Sequence, residues 1–107
     1  MKDRLYVTRA DFDRLRHLIE SRQVTVFEME YLELLEEKLD RAEVVEPEAI
    51  PPDIVTLNSE VLLKDLDSGG VKIYRLVLPA QGRMQKSISI LTPLGIAMLG
   101  YKVGEII

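Results

Sequence analysis

A lone histidine, a run of acids, a pair of glycines and four tyrosines are where chemistry would first be sought in this chain. His17 sits between Arg16 and Leu18. An imidazole can ligate a metal or act as a general base, but flanked this way it reads as a solvated side chain. The acids Glu28, Glu30, Glu33, Glu36, Glu37, Asp40 and Glu43 form a run. Glu33 with Glu37, and Glu36 with Asp40, share helix faces, yet without a histidine they make only a weak cation site. The run reads as a solvated helix face, or as a broad acidic surface that meets a basic wall. Gly69-Gly70 is turn chemistry rather than a phosphate loop, because no helix N-terminus follows it. Tyr6, Tyr31, Tyr74 and Tyr101 read as packing or rim residues, and two Phe with no Trp leave few platforms for stacking single strands. No catalytic, cofactor-binding or metal-ligating residue is assigned.

The elements must therefore carry the function. With 107 residues there is room for one small core, or a core with an appendage. Hydrophobic residues are 47% and charged residues 30%, so the chain should fold. A net charge of -4 argues against sequence-independent binding to a nucleic-acid backbone. The absence of Cys excludes disulfides and thiolate metal sites. No apolar run is long enough to span a bilayer, and MKDRLYVTRADFD is not a signal peptide. The expectation is a soluble cytoplasmic protein that does not engage membranes.

The first half has helical periods. Thr8 is an N-cap with Asp11 three residues on, and Val7 with Phe12 forms a hydrophobic staple. Phe12, Leu15, Leu18 and Ile19 make an apolar stripe. Thr25 to Glu28 is a capping box, with Val24 and Met29 as its staple. Leu32, Leu35, Leu39 and Ala42 then give a narrow coiled-coil seam, widened by Tyr31 and Leu34. Arg14, Arg16, Glu20, Glu30, Glu33, Glu37, Lys38 and Arg41 are placed outward. Only residues 21–24 separate the two helices, which predicts a short antiparallel helical hairpin. Pro47, Pro51 and Pro52 mark residues 46–54 as a stiff, extended hinge.

The second half has strand periods. Residues 60–66 and 71–78 flank the DSGG turn as a β-hairpin. Residues 87–91 alternate as a half-buried strand, and Glu105 to Ile107 starts another. Between them Thr92 is an N-cap, Pro93 sits at N1, and a short helix stops at Gly100, forming a lid over a small curved sheet. Thr92-Pro93 is left as an exposed corner at its entrance. A rigid proline beside an exposed leucine suits a protein contact.

The segments NSEVLLKDLDSGGVKIYRLVLPA and SISILTPLGIAMLGYKVGEII, in this order, resemble the C-terminal domain of the bacterial GreA/GreB transcript cleavage factors. The upstream LDRAEVVEPEAIPPDIVTLNS resembles the Rnk branch of that family, regulators of nucleoside diphosphate kinase. The resemblance covers residues 39–107, with an architectural match over the helices before it. It implies an α+β chain: a helical hairpin over 1–48, then an FKBP-like antiparallel sheet with one lid helix over 49–107. It also implies docking on RNA polymerase at the rim of the secondary channel, through Leu91, Thr92, Pro93, Leu94 and Gly95. DNA binding attaches to the family as a general term; no direct sequence-specific nucleic-acid contact is expected here.

Two departures from the family pattern shape the expected function. Gre factors carry a much longer hairpin, whose acidic tip helps hold a catalytic Mg²⁺ in the polymerase. Here the tip is Ser21, Arg22, Gln23 and Val24, with Glu20 and Glu28 as the nearest acids, and Arg22 opposes Mg²⁺ binding. The expectation is a polymerase-binding regulator that competes with Gre factors without stimulating cleavage. The chain also ends before the strand sequence with which family members continue. The expectation is a truncated product, a shortened natural variant, or a chain that forms a homodimer because an unpaired sheet edge invites a second copy. The alternatives are regulation of nucleoside diphosphate kinase by another route, and prolyl isomerisation. The latter needs an aromatic-lined pocket for which this half offers only Tyr74 and Tyr101.

Overall fold

The computed structural model describes residues 5–81 and 85–102. The strand expected over 105–107 lies outside the described residues. In chain order the elements are β1 (Tyr6–Thr8), α1 (Arg9–Ser21), α2 (Met29–Asp40), β2 (Glu43–Val45), β3 (Glu60–Lys64), β4 (Val71–Val77), β5 (Ser87–Ser89) and α3 (Pro93–Met98). Short 3-10 turns occupy Val26–Glu28, Pro47–Ala49 and Pro79–Gln81.

Helix α1 begins where its cap directs. Thr8 is extended, and its hydroxyl accepts from the Asp11 N–H at 3.2 Å. It ends at Arg22, which turns into the left-handed region at φ 52° while its N–H reaches the Leu18 carbonyl. Helix α2 starts through the Thr25–Glu28 capping box and the 3-10 turn it encloses. Leu15 and Ile19 of α1 are buried with Leu32, Leu35 and Leu39 of α2, and Arg16 crosses from α1 to Glu36 at 3.7 Å. Leu34 does not join this contact. It is 44% exposed.

The helical pair is flanked by strands that the helical periods do not announce. β1 and β2 pair in parallel, Tyr6 with Glu43 through Thr8 with Val45, and tie the two ends of the pair together. The proline segment that follows is not simply extended. It winds into the 3-10 turn at Pro47–Ala49, and the Ile54 N–H then bonds back to the Pro51 carbonyl. Proline fixes φ near the value that such turns require, so the same residues that end a helix also start a 3-10 turn.

The main sheet has the order β3-β4-β5. β3 and β4 are antiparallel, with Leu62 opposite Ile73 and Glu60 opposite Arg75. Their connection is longer than the four residues DSGG. Asp65 opens it by accepting the N–H groups of Asp67 and Ser68, contacts that hold its carboxyl below the usual carboxylate range. The expectation of an antiparallel sheet fails at β5, which runs parallel to β4 from Arg75/Ser87 to Val77/Ser89. Parallel strands need a return connection. Here β5 meets β4 over only three residue pairs.

One hydrophobic cluster joins the halves. Val7, Leu15, Ile19, Leu32, Leu35 and Leu39 share it with Val55, Leu57, Leu76, Ile90, Leu91, Met98 and Leu99. Each fully buried Leu or Ile contributes about 1.5–3 kcal/mol relative to exposure. Helix α3 is thus more than a lid on the sheet, since it packs against both β5 and α2. Behind it, Gly100 takes φ +79° against Leu5, and the chain pairs back on Val55 through Gly100 N–H to Val55 O and Val55 N–H to Tyr101 O.

Candidate functional site

The corner between β5 and α3 is built from hydrogen bonds within a few residues. The Thr92 hydroxyl donates to the Ser89 carbonyl at 2.7 Å and accepts the Gly95 N–H at 3.0 Å. The Ser89 hydroxyl accepts the Leu91 N–H at 3.1 Å, and the Ile96 N–H reaches the Thr92 carbonyl at 2.9 Å. Pro93 occupies the first helical turn, where no donor is missed. The five corner residues divide sharply. Pro93 and Leu94 are exposed, Thr92 is half-buried, and Leu91 and Gly95 are buried. Leu91 is a core residue at 2% exposure, so it supports the corner from beneath. Gly95 is held for a different reason. A Cβ there would lie well inside contact distance of the Ser89 carbonyl oxygen, with Ser89 C at 2.9 Å and Ile90 Cα at 3.0 Å behind it. What the corner presents is Pro93 with Leu94.

At the far end of the helical pair, the tip residues Ser21, Arg22, Gln23 and Val24 lead into the capped turn. Arg22 and Gln23 are exposed, and Ser21 and Val24 are half-buried. The two nearest acids are both engaged. Glu20 lies 3.7 Å from Arg16, and Glu28 Oε1 accepts the Thr25 N–H at 2.9 Å. Periodicity passed over Val26 and Phe27, which stand 85% and 88% exposed on the turn. Their signal was an apolar pair inside a capping box with no partner at helical spacing.

Two charged residues thought to be outward or merely capping prove to be buried joints. Lys38 is 9% exposed; its ammonium donates to the carbonyls of Ile96 and Ala97 at the end of α3, the latter at 3.3 Å. It also lies 5.3 Å from the centre of the Tyr101 ring. Burial, and then the repulsion of Arg41, lower its pKa from 10.5 to about 8. Asp11 is 5% exposed and accepts the Leu57 N–H at 3.0 Å and an Arg14 N–H at 3.2 Å. The sequence held a signal for both. Asp11 continues the Leu15–Ile19 stripe at four-residue spacing, and Lys38 shares a face with Tyr31, Leu35 and Ala42.

The remaining candidates stay dispersed. His17 is exposed on α1. Among the described residues, no group of three or more His, Cys, Asp or Glu side chains could hold a metal ion. Tyr6, Tyr31, Tyr74 and Tyr101 are all half-buried. Tyr74 borders open depressions on the sheet, whereas Tyr101 lies by Lys38, so the two do not line one aromatic pocket. Gly69-Gly70 closes the β3–β4 turn, with Gly69 at φ +77°. No helix among the described residues is long and apolar enough to cross a membrane.

Comparison with known proteins gives these features a context. Residues 50–107 match the family model described as "Transcription elongation factor, GreA/GreB, C-term", and residues 3–45 match "Rnk N-terminus". The chain is 40% identical over 72 residues to the Regulator of nucleoside diphosphate kinase of Escherichia coli (strain K12), covering 66% of this chain and 53% of that protein. It is 40% identical over 74 residues to Transcription elongation factor GreA of Clostridium botulinum (strain Alaska E43 / Type E3), covering 68% and 46%. The chain therefore spans about half the length of the curated relatives it matches. A solved structure titled as a prokaryotic transcription elongation factor GreA/GreB from Nitrosomonas europaea superposes with a TM-score of 0.83 at 36% identity, over 99% of this chain and 84% of that one. With both halves matched in the same order, the chain belongs to the GreA/GreB transcription elongation factor family, in its Rnk branch.

Proposed function

We propose that this chain binds RNA polymerase at the rim of the secondary channel and there competes with Gre factors, without stimulating transcript cleavage. In this reading residues 49–107 form the FKBP-like docking body, and residues 1–48 form a hairpin arm over the channel. The observation that carries it is the corner. An exposed Leu94 beside a rigid Pro93, fixed by the Thr92 hydroxyl, is a small apolar anchor that loses little entropy on docking. The tip supports the absence of cleavage activity. Its apex is Arg22, and the carboxylates of Glu20 and Glu28 are engaged with Arg16 and the Thr25 N–H. Helix α1 has 13 residues. At 1.5 Å per residue the arm reaches about 20 Å, a short reach for delivering a carboxylate deep into a channel.

Titration of core RNA polymerase with labelled chain tests this. The wild type is expected to bind and to be displaced by a Gre factor, and Leu94→Asp is expected to abolish binding while melting like the wild type. A folded wild-type chain that does not bind would refute it. A second reading comes from the printed name of the E. coli relative: direct regulation of nucleoside diphosphate kinase. A changed phosphoryl-transfer rate of the purified kinase on stoichiometric addition of the chain would favour that route.

A further inference from the structure

β3 stands at one edge of the main sheet, with β4 on one side and, among the described residues, no strand on the other. Its bonds to β4 determine which residues face outward. The Asp65 N–H donates to the Gly70 carbonyl at 2.8 Å, and the Ser59 carbonyl accepts the Leu76 N–H at 3.2 Å. Antiparallel bonding alternates along a strand, so Val61 and Leu63 turn their backbone toward β4 as Ser59 and Asp65 do. The N–H and C=O groups of Glu60, Leu62 and Lys64 then point out from the open edge. The same three residues are exposed, while Val61 and Leu63 pack against the core. Leu62 is 65% exposed, and Ile73 opposite it on β4 is 50% exposed. Open edges are ordinarily blunted by a proline, a bulge or an unmatched charge. Residues 60–64 contain no proline or glycine, and their register with β4 runs without a break. Their charges are matched as well, since Glu60 and Lys64 lie at equal distance on either side of Leu62.

We infer that two copies of this chain pair β3 against β3, antiparallel, about a two-fold axis at Leu62. In that register Leu62 meets the partner's Leu62, Glu60 meets the partner's Lys64, and Val61 meets the partner's Leu63. The outward N–H and C=O groups of Glu60, Leu62 and Lys64 are satisfied at the same time. An exposed apolar row then runs from Ile73 through both leucines to the partner's Ile73. Arg75 does not consume Glu60, because it takes Oε2 at 2.9 Å and leaves Oε1 to accept. The Lys64 ammonium has no hydrogen bond or ion pair among the described residues. Any other strand would have to carry an acid and a base in this same order to match both charges, and a second copy supplies them. Five residues per strand is a small contact, so the dimer is weak, with Kd between about 1 μM and 1 mM.

Sedimentation of the full chain is expected to show a concentration-dependent shift from a 12.2 kDa monomer to a dimer. The chain has no Cys, so single cysteines report the register. Under oxidation Leu62→Cys is expected to form a disulfide dimer, because the paired Cα atoms would lie about 5.5 Å apart. Glu60→Cys is expected not to, because Glu60 and the partner's Glu60 would lie about 13 Å apart along the strands. Glu60→Lys and Lys64→Glu, with melting checked first, are each expected to raise Kd about 10-fold or more. An equal mixture of these two variants is expected to dimerise again, since each then carries the charges the other needs. A wild type that stays at the monomer mass up to millimolar concentration would overturn the pairing. Glu60→Cys crosslinking as readily as Leu62→Cys would overturn the register, and so would a mixture of folded charge variants that does not recover the dimer.

Discussion

Replacing Lys38 by methionine tests whether the helical pair and α3 are joined through one buried ammonium. Methionine keeps most of the alkyl stem packed, so the change falls mainly on the charge and its donors. The Ile96 and Ala97 carbonyls lose the partner they have in the wild type. A buried acceptor left without a partner costs about 1–3 kcal/mol. Against that, the variant is relieved of desolvating an ammonium. In the folded chain the pKa of Lys38 falls from 10.5 to about 8. At full weight that gap is worth about 3 kcal/mol, and partial access of water reduces it to about 1–2 kcal/mol. The sign follows from proton binding. Between pH 8 and 10.5 the unfolded chain holds the Lys38 proton and the folded chain has released it. Stability from this group therefore rises across that window as pH increases, and the penalty is present in full below it. The neutral amine keeps two N–H donors, enough for two carbonyls. Urea denaturation of both proteins at pH about 7 and about 10 reads the effect. The wild type should exceed the variant by about 1 kcal/mol at the lower pH, and the gap should widen by about 1–2 kcal/mol at the higher. Taking the difference removes titrations common to both chains. A gap that stays constant or narrows would refute the burial of Lys38 against α3.

Three further substitutions test the same architecture. Gly95→Ala forces a methyl against the Ser89 backbone, which cannot rotate away, and should cost about 1–3 kcal/mol or prevent folding; thermal melting will tell, and a wild-type melt would refute the close approach. Asp11→Ala removes the acceptor for the Leu57 N–H and should cost about 1–3 kcal/mol in urea denaturation, with Asp11→Asn recovering part of the loss. Thr92→Val removes both hydroxyl contacts at the corner and should cost about 1 kcal/mol. It should also weaken polymerase binding more than it lowers the melting temperature predicts, because Leu94 is then presented by a less ordered corner.

What could be read from the sequence was whatever is settled within three or four residues. The Thr8, Thr25 and Thr92 caps, Pro93 at the first turn of α3 and the Gly69 turn all depend on neighbours in the chain. The β1–β2 pair was not legible, because two three-residue strands are too short to show a period and each finds its partner across the whole helical pair. The parallel direction of β5 was likewise not legible, because the Ser-Ile-Ser alternation is the same whichever way the strand runs. The corner residues were found as a group, but their division was not, since Leu91 and Leu94 look alike until α3 is laid against β5. The deeper limit lies in how periodicity assigns a face. A helical stripe identifies the side turned to one neighbour, and α2 has two, α1 and α3. Lys38 is outward with respect to the first and inward with respect to the second. Asp11, at the start of the α1 stripe, turns to Leu57 in the same way. These two charges hold the arm to the body at separate points, one on α3 and one before β3.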